Sequence, residues 1–132
     1  MQMNYAPRAL QGVVPQGREE PYDIPLDVVL TANQNVNTSL DADPDAMFLW
    51  RALVISQATG TFSVRFSDSR NYFLSSARIA SSNLSSDPSS PYPIFPELPI
   101  PPNGKIIVDL LDTSGAGNTI QLVFRGAKRF AL

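Results

Sequence analysis

The sequence predicts an all-β fold, a β-sandwich or jelly roll of about seven or eight antiparallel strands with an extended N-terminal arm. Three observations predict it. Apolar and polar residues alternate along several short segments, which is typical of half-buried strands. Turn signals recur about every 8–12 residues. No segment shows the three- and four-residue apolar spacing of an amphipathic helix.

Residues 1–22 are predicted to form the arm, and residues 23–132 to form the sandwich domain. The first segment contains three prolines and two glycines, and its apolar residues follow neither the period of a strand nor that of a helix. Such a segment either is a disordered tail or lies along a neighbouring subunit. In the second case Leu10, Val13 and Val14 are the residues expected to contact the partner.

Four predicted strands precede the middle of the chain. In 23–30, Ile24, Leu26 and Val28 alternate with polar residues. A polar turn separates this strand from the short strand 36–40. The segment 47–56 is apolar on both faces, which favours a central strand with Trp50 in the core. A hairpin signal, Ala-Thr-Gly, then leads to the alternating strand 61–66.

The second half is predicted to contain the strands 72–74, 78–80, 105–111 and 119–125. Between the second and third of these, residues 81–103 are predicted to be a long loop, because Ser or Pro occupies more than half of its positions. Proline lacks the backbone N–H that a strand ladder needs. Asn103-Gly104 is a turn into 105–111, and the glycine-rich residues 112–118 are a flexible turn before the last strand.

The proline-rich segment 91–102 is the second predicted partner-binding element. It is stiff and apolar, so it loses little conformational entropy on docking into a groove. The anchors are apolar and aromatic side chains: Tyr92, Ile94, Phe95, Leu98 and Ile100. The alternative is that this segment crosses one end of the sandwich and packs its own Ile and Phe side chains on the core. The sequence favours neither, and both can hold.

Composition excludes several classes of function. The chain has no histidine, which removes the commonest general base and transition-metal ligand, and no cysteine, which removes disulfides and thiolate metal sites. Its net charge is −2 and its basic residues are scattered, so we predict no nucleic-acid binding. There is no apolar run of about 20 residues and no signal-peptide core, so we predict no membrane association.

Three candidate chemical sites remain, and each lacks part of its pattern. Asp41, Asp43 and Asp45 resemble the start of a calcium loop, but Ala46 and Ala52 occupy the positions of its glycine and glutamate, so a solvated acidic turn is the default interpretation. A Ser–Lys dyad with Lys105 or Lys128, and a pair of carboxylates drawn from Glu97, Asp109 or the acidic turn, have no supporting local pattern. We therefore predict no catalytic residue, no cofactor and no metal.

Several segments together resemble the capsid decoration, or cement, proteins of tailed bacteriophages. They are LTANQ (30–34), DPDAMFLWR (43–51), FSVRFSD (62–68), PE (96–97) with PPNG (101–104), IQLVFRG (120–126) and KRF (128–130). The resemblance implies a β-sandwich or jelly-roll subunit that clamps neighbouring capsomers, often as a trimer and with extended arms. It implies no particular contact residues.

The leading hypothesis is accordingly a non-enzymatic virion protein that binds the major capsid protein and stabilises the phage head shell. It would be a homo-oligomer, with a trimer favoured, assembled in the host cytoplasm and located on the capsid surface. The alternative is a ligand- or carbohydrate-binding β-sandwich module, such as a receptor-binding or tail component. A hydrolase that uses carboxylates only is the third and weakest hypothesis.

Overall fold

The computed structural model describes residues 18–130, and these form two four-stranded antiparallel sheets. The strands are β1 (Glu19–Leu30), β2 (Asn35–Asp41), β3 (Met47–Ala58), β4 (Phe62–Asp68), β5 (Ile79–Ala80), β6 (Tyr92–Ile100), β7 (Lys105–Asp112) and β8 (Asn118–Arg129). Sheet A has the strand order β1-β8-β3-β6, and sheet B has the order β2-β7-β4-β5. Ser81–Asn83 form a single 3₁₀ turn after β5. Within the described part of the chain, no helix is long and apolar enough to cross a membrane.

The strands pair from the ends of the chain inward. β1 pairs with β8, β2 with β7, β3 with β6 and β4 with β5. The described chain is therefore one long hairpin that folds over on itself, which adds the pairings of β3 with β8 and of β4 with β7. Eight strands connected in this way form a jelly roll. The predicted all-β sandwich fold is confirmed.

The core lies between the two sheets and follows from the alternation of each strand. In β8, for example, Ile120, Leu122 and Phe124 are fully buried, while the residues between them are partly exposed. Trp50 is fully buried at the centre, as predicted. The centroid of its ring lies 5.2 Å from the ring centroid of Phe66 and 5.0 Å from that of Phe124. Tilted and edge-on ring contacts of this kind add specificity to the packing.

The sandwich has two distinct ends. The turns after β1, β3 and β7 lie together at one end, which we call the turn end. The loops 42–46, 69–78 and 101–104 lie at the other end, where Glu19 also pairs with Arg129. We call this the terminal end, because β1 begins there and β8 ends there.

Two buried polar residues join the turns of the turn end. The Asp112 carboxylate, at a residue that is 2% exposed, accepts hydrogen bonds from the Asn33 N–H (2.8 Å) and the Ser114 hydroxyl (2.6 Å). Asn118 donates to Asp112 (3.2 Å) and accepts from the Gly60 N–H (3.0 Å). The Ser114 hydroxyl and then the Asn33 N–H hold the pKa of Asp112 well below its usual range.

The predicted boundary of the arm and one predicted strand differ from the structure. β1 begins at Glu19 and not at residue 23, so 19–22 belong to the sandwich rather than to the arm. The arm's remaining residues 1–17, including Leu10, Val13 and Val14, lie outside the described residues. The predicted strand 72–74 is wrong: Phe73 makes only an isolated bridge to Ser67, because the loop turns back on Asp68.

The largest correction concerns the predicted loop 81–103, because its second half is strand β6. β6 lies at the edge of sheet A, where only one of its two sides pairs with a neighbour, β3. At such an edge every second backbone N–H points away from the sheet, so proline is tolerated at those positions. Pro93 and Pro99 occupy them, eight and two residues before Pro101.

Candidate functional site

Strand β6 carries a bulge that lifts part of the edge away from β3. Leu98 pairs with Trp50 and Pro93 pairs with Ala52, so residues 94–97 face only Arg51 on β3. The bulge contains the Phe95-Pro96 peptide bond, which is cis. Extra residues of this kind redirect side chains at sheet edges. Here the result is that the Phe95 ring is 92% exposed.

A cleft of about 350 Å³ opens beside this bulge, between β6 of sheet A and the β4–β5 side of sheet B. It exists because β5 has only two residues and covers only the start of β4. We call it the β6 cleft. Its lining residues are mostly apolar: Phe66, Tyr72, Leu74, Ile79, Tyr92, Pro93, Ile94, Phe95, Pro96, Glu97 and Leu98. A concave apolar surface of this kind is the default binding-site hypothesis in a protein of unknown function.

The wall formed by the loop 69–78 is held in place by Asp68. This buried carboxylate accepts hydrogen bonds from the Tyr72 N–H (3.0 Å) and the Arg70 N–H (2.8 Å) and pairs with the Arg70 guanidinium (2.8 Å). Burial has the largest single effect on the pKa of Asp68 and raises it, but these donors outweigh it and the net pKa is lowered. The loop is therefore ordered, although the Tyr72 side chain on it is 60% exposed.

The opposite wall is held by a chain of charges on the outer face of sheet A. Arg51 donates to Glu97 on β6 (2.7 Å) and to Glu19 on β1 (2.8 Å), and Glu19 also binds Arg129 (2.6 Å). The Arg51 and Arg129 guanidinium groups lower the pKa of Glu19. Because these side chains are partly exposed, we assign them a positioning role rather than much stability.

The predicted contact residues of the proline-rich segment divide into three groups. Phe95 projects into solvent at the rim of the β6 cleft. Tyr92, Ile94 and Leu98 are half-buried: they line the cleft and also pack against the core. For Ile100 the contact prediction is wrong. It is 2% exposed and belongs to the core, since it pairs with Phe48 beyond the bulge.

The acidic turn carries counter-ions that sequence reasoning did not assign. Asp41 pairs with Lys105 (2.7 Å), and both Asp43 (2.8 Å) and Asp45 (3.2 Å) pair with Lys128. Within residues 18–130, no three His, Cys, Asp or Glu side chains converge as a metal site. Asp43, and beyond it Asp45, raises the pKa of Lys128, which is the opposite of what a Ser–Lys dyad requires.

Sequence reasoning missed the side of the cleft that comes from sheet B. Phe66, Tyr72 and Ile79 meet β6 only because the chain folds as a rolled hairpin, and no local pattern reports that pairing. The β6 strand itself did leave a signal. Its apolar side chains lie at even-numbered positions, namely Tyr92, Ile94, Leu98 and Ile100, whereas Pro93 and Pro99 lie at odd-numbered positions. This alternation is typical of an edge strand.

The β6 cleft can bind an apolar or aromatic group between an ordered loop and a stiff strand. Its one carboxylate, Glu97, is already paired with Arg51, so the cleft offers shape and apolar contact more than charge. Comparison of the chain with protein-family models, with curated proteins and with solved structures found no match in any of the three.

Proposed function

We propose that this chain is a structural subunit of a tailed-bacteriophage virion. In this proposal it is a decoration or cement protein that binds the major capsid protein on the capsid surface, as a homo-oligomer and preferably a trimer, with no catalytic role. The resemblance of its segments to that family supports the proposal. The jelly-roll fold also supports it, since capsid domains commonly use this architecture.

The observation that carries the proposal is Phe95. A phenylalanine ring that is 92% exposed adds almost nothing to the stability of the isolated subunit. Large aromatic side chains, however, dominate the energetics of protein interfaces. The prolines beside it and the Arg51–Glu97 pair hold the strand that presents it. A stiff anchor loses little entropy on docking, which suits a subunit that must stay bound to a shell.

The test is co-sedimentation of the purified full-length protein with empty heads assembled from the major capsid protein of the same phage. We expect wild-type protein to pellet with the heads, and Phe95→Ser to bind at least about tenfold more weakly, because it removes an interface anchor. Val29→Ser is the matched control, since Val29 is 72% exposed at the turn end, away from the cleft. Failure of the wild-type protein to bind the heads contradicts the proposal.

A second candidate is a carbohydrate-binding module, as in a receptor-binding or tail component. It is favoured by the Tyr72 and Phe95 rings, which are 60% and 92% exposed at the same cleft and could stack on a sugar. Tyr92 is half-buried and does not extend them into one exposed row. Glycan-array binding that Tyr72→Ala and Phe95→Ala both abolish would support this candidate, and an array without binding would contradict it.

A further inference from the structure

We propose that the β6 cleft of one copy binds the apolar segment 10–14 of a second copy, so that copies of this chain join through an exchanged N-terminal segment. This inference deepens the proposed function, because it names the contact that builds the oligomer. It does not depend on the shell, however, since it concerns only the purified chain.

The cleft determines what kind of occupant fits. Its floor is apolar, through Phe66, Ile79 and Leu98, and its rim carries the exposed rings of Tyr72 and Phe95. The only carboxylate in its lining is paired with Arg51. A charged occupant would lose solvation without gaining a partner, so an uncharged aliphatic segment is the chemical complement.

The chain itself contains such a segment outside the described residues. Residues 1–17 precede the first described residue, Arg18, and their densest apolar group is Leu10, Val13 and Val14, with only Gln11 and Gly12 between them. The segment 10–14 has no charge. From Arg18, Val13 can extend up to about 17 Å and Leu10 up to about 27 Å, which is enough to reach a subunit packed against the start of β1.

Reach disfavours the cleft of the same copy for Val13 and Val14. β1 and β6 are the two opposite edges of sheet A, three strand spacings or about 14 Å apart. Along the strands, Glu19 is level with Met47, whereas the cleft is level with Trp50 and Leu53, about 10–20 Å further. The direct distance is therefore about 17–24 Å, whereas Val13 can lie at most about 17 Å and Val14 about 14 Å from Arg18, so only a fully extended chain would bring Val13 to the near edge of its own cleft.

A contact of this type is heterologous, since the segment of one copy meets the cleft of the next. It closes into a ring only when the rotation between copies allows it, and each copy then contributes one segment and one cleft. The trimer favoured for this chain is one such ring. At the rim of the cleft, Phe95 would contact the segment with one side of its ring and leave the other side for the shell.

The first test uses the absence of cysteine, because any disulfide must come from introduced residues. Val13→Cys and Phe95→Cys are prepared as separate full-length chains, one of them isotope-labelled, then mixed and oxidised. We expect the mixed disulfide to form at least about tenfold faster than between Val13→Cys and the exposed control Val29→Cys, because docking raises the effective concentration. Equal rates for the two partners would overturn the proposal.

The doubly substituted chain, with cysteine at both 13 and 95, distinguishes the same copy from a second copy. In the proposed arrangement the disulfide links two chains, and its yield falls on dilution. An intramolecular disulfide whose yield does not change with dilution would show that the segment folds onto its own cleft, and the proposal would be wrong.

The second test is light scattering over a range of protein concentrations. We expect the wild-type chain to associate, and both Phe95→Ser and the triple variant Leu10→Ser/Val13→Ser/Val14→Ser to weaken association at least about tenfold, with Val29→Ser unchanged. Combining the two changes should add little, since they remove the same contact. A wild-type chain that stays monomeric overturns the inference.

These results separate the inference from the proposed function. If the chain cross-links in this way but does not bind heads, the inference is supported and the proposed shell role is contradicted. If the chain binds heads as a monomer, with no cross-link between positions 13 and 95, head binding is supported and the inference is contradicted.

Discussion

Gly126 shows how one residue permits the close approach of two central strands. It lies on β8 opposite Trp50 and beside the bulge of β3 at Arg51. A Cβ atom at this position would overlap the backbone carbonyl of Leu49, which cannot move without breaking the pairing of β3 with β8. Glycine is therefore required here by space, whatever its backbone conformation.

We predict that Gly126→Ala lowers the free energy of unfolding by about 3 kcal/mol, because the added methyl group forces the two central strands of sheet A apart. Urea unfolding followed by the fluorescence of Trp50 measures it. Gly117→Ala is the control, since the nearest atom to an added Cβ there is the Leu30 carbonyl at 3.8 Å. Equal stability of the two variants would contradict the overlap.

Asp112 is the second residue with a measurable effect. Asp112→Asn keeps the side-chain shape but replaces an acceptor oxygen with a donor that faces the donors of Ser114 and Asn118. We predict that the melting temperature falls by about 5 °C. Asp27→Asn, at an exposed carboxylate on β1, is the isosteric control and should leave the melting temperature nearly unchanged.

The same variant should alter the response of stability to acid. The pKa of Asp112 is lower in the folded chain than in the unfolded chain. Its ionised form therefore stabilises the fold fully above the unfolded pKa of about 4, and this contribution is lost as the pH falls toward the folded pKa. The difference in melting temperature between wild type and Asp112→Asn should shrink between about pH 5 and about pH 2. A constant difference would be contrary evidence.

At the scale of elements, both edge strands of sheet A contain prolines that hinder the addition of another strand. In β1, Pro21 and Pro25 occupy positions at which a backbone N–H would point away from the sheet. Pro93 and Pro99 occupy the same kind of position in β6. Each proline removes a donor that an incoming strand would use, which is a known protection against edge-to-edge association. Assembly of this chain should therefore use side chains and the cleft rather than strand addition to sheet A.

We predict that Pro21→Val/Pro25→Val converts the β1 edge into a site of non-specific association, because it restores two outward N–H groups on a 12-residue strand. Size-exclusion chromatography with light scattering should show larger and more heterogeneous species. Thr119→Val, on the central strand β8, adds a similar apolar side chain without opening an edge. If both variants behave alike, added hydrophobicity is the cause and not the edge.

The elements also show what the sequence can and cannot predict. The alternation of β1, β4, β7 and β8 determines which residues face the core, so those strands and the sandwich follow from local pattern. The β6 strand was missed because proline opposes strands everywhere except at an edge, and edge position is a property of the whole sheet. The cleft was missed for the same reason: Tyr72 and Phe95 lie 23 positions apart, and only the rolled pairing joins them.

At the scale of the whole molecule, the pairing of first with last strand governs how the chain must fold. Glu19 hydrogen-bonds to Arg129 across a separation of 110 positions, and every strand pair except β4 with β5 spans a long loop of intervening chain. Closing such loops before their contacts form is entropically unfavourable. Proteins dominated by distant pairings fold slowly for this reason.

We predict that refolding from urea takes milliseconds to seconds rather than microseconds. Stopped-flow fluorescence reports it directly, since the chain has a single tryptophan, which is fully buried in the core. Gly126→Ala, which weakens the distant pairing of β3 with β8, serves as a comparison and should refold no faster than the wild type. Refolding within microseconds would contradict the importance of the long-range pairing.

The separation of the turn end from the terminal end makes this jelly roll a scaffold for peptide display. β1 spans 12 residues, or about 40 Å, between Glu19 and the turn end. The turn 113–117 is exposed there, and Asp112 fixes its start through Ser114 and Gly115. A foreign peptide grafted between Ala116 and Gly117 would leave those contacts intact. It would be presented on the opposite pole of the domain from Phe130, the last described residue.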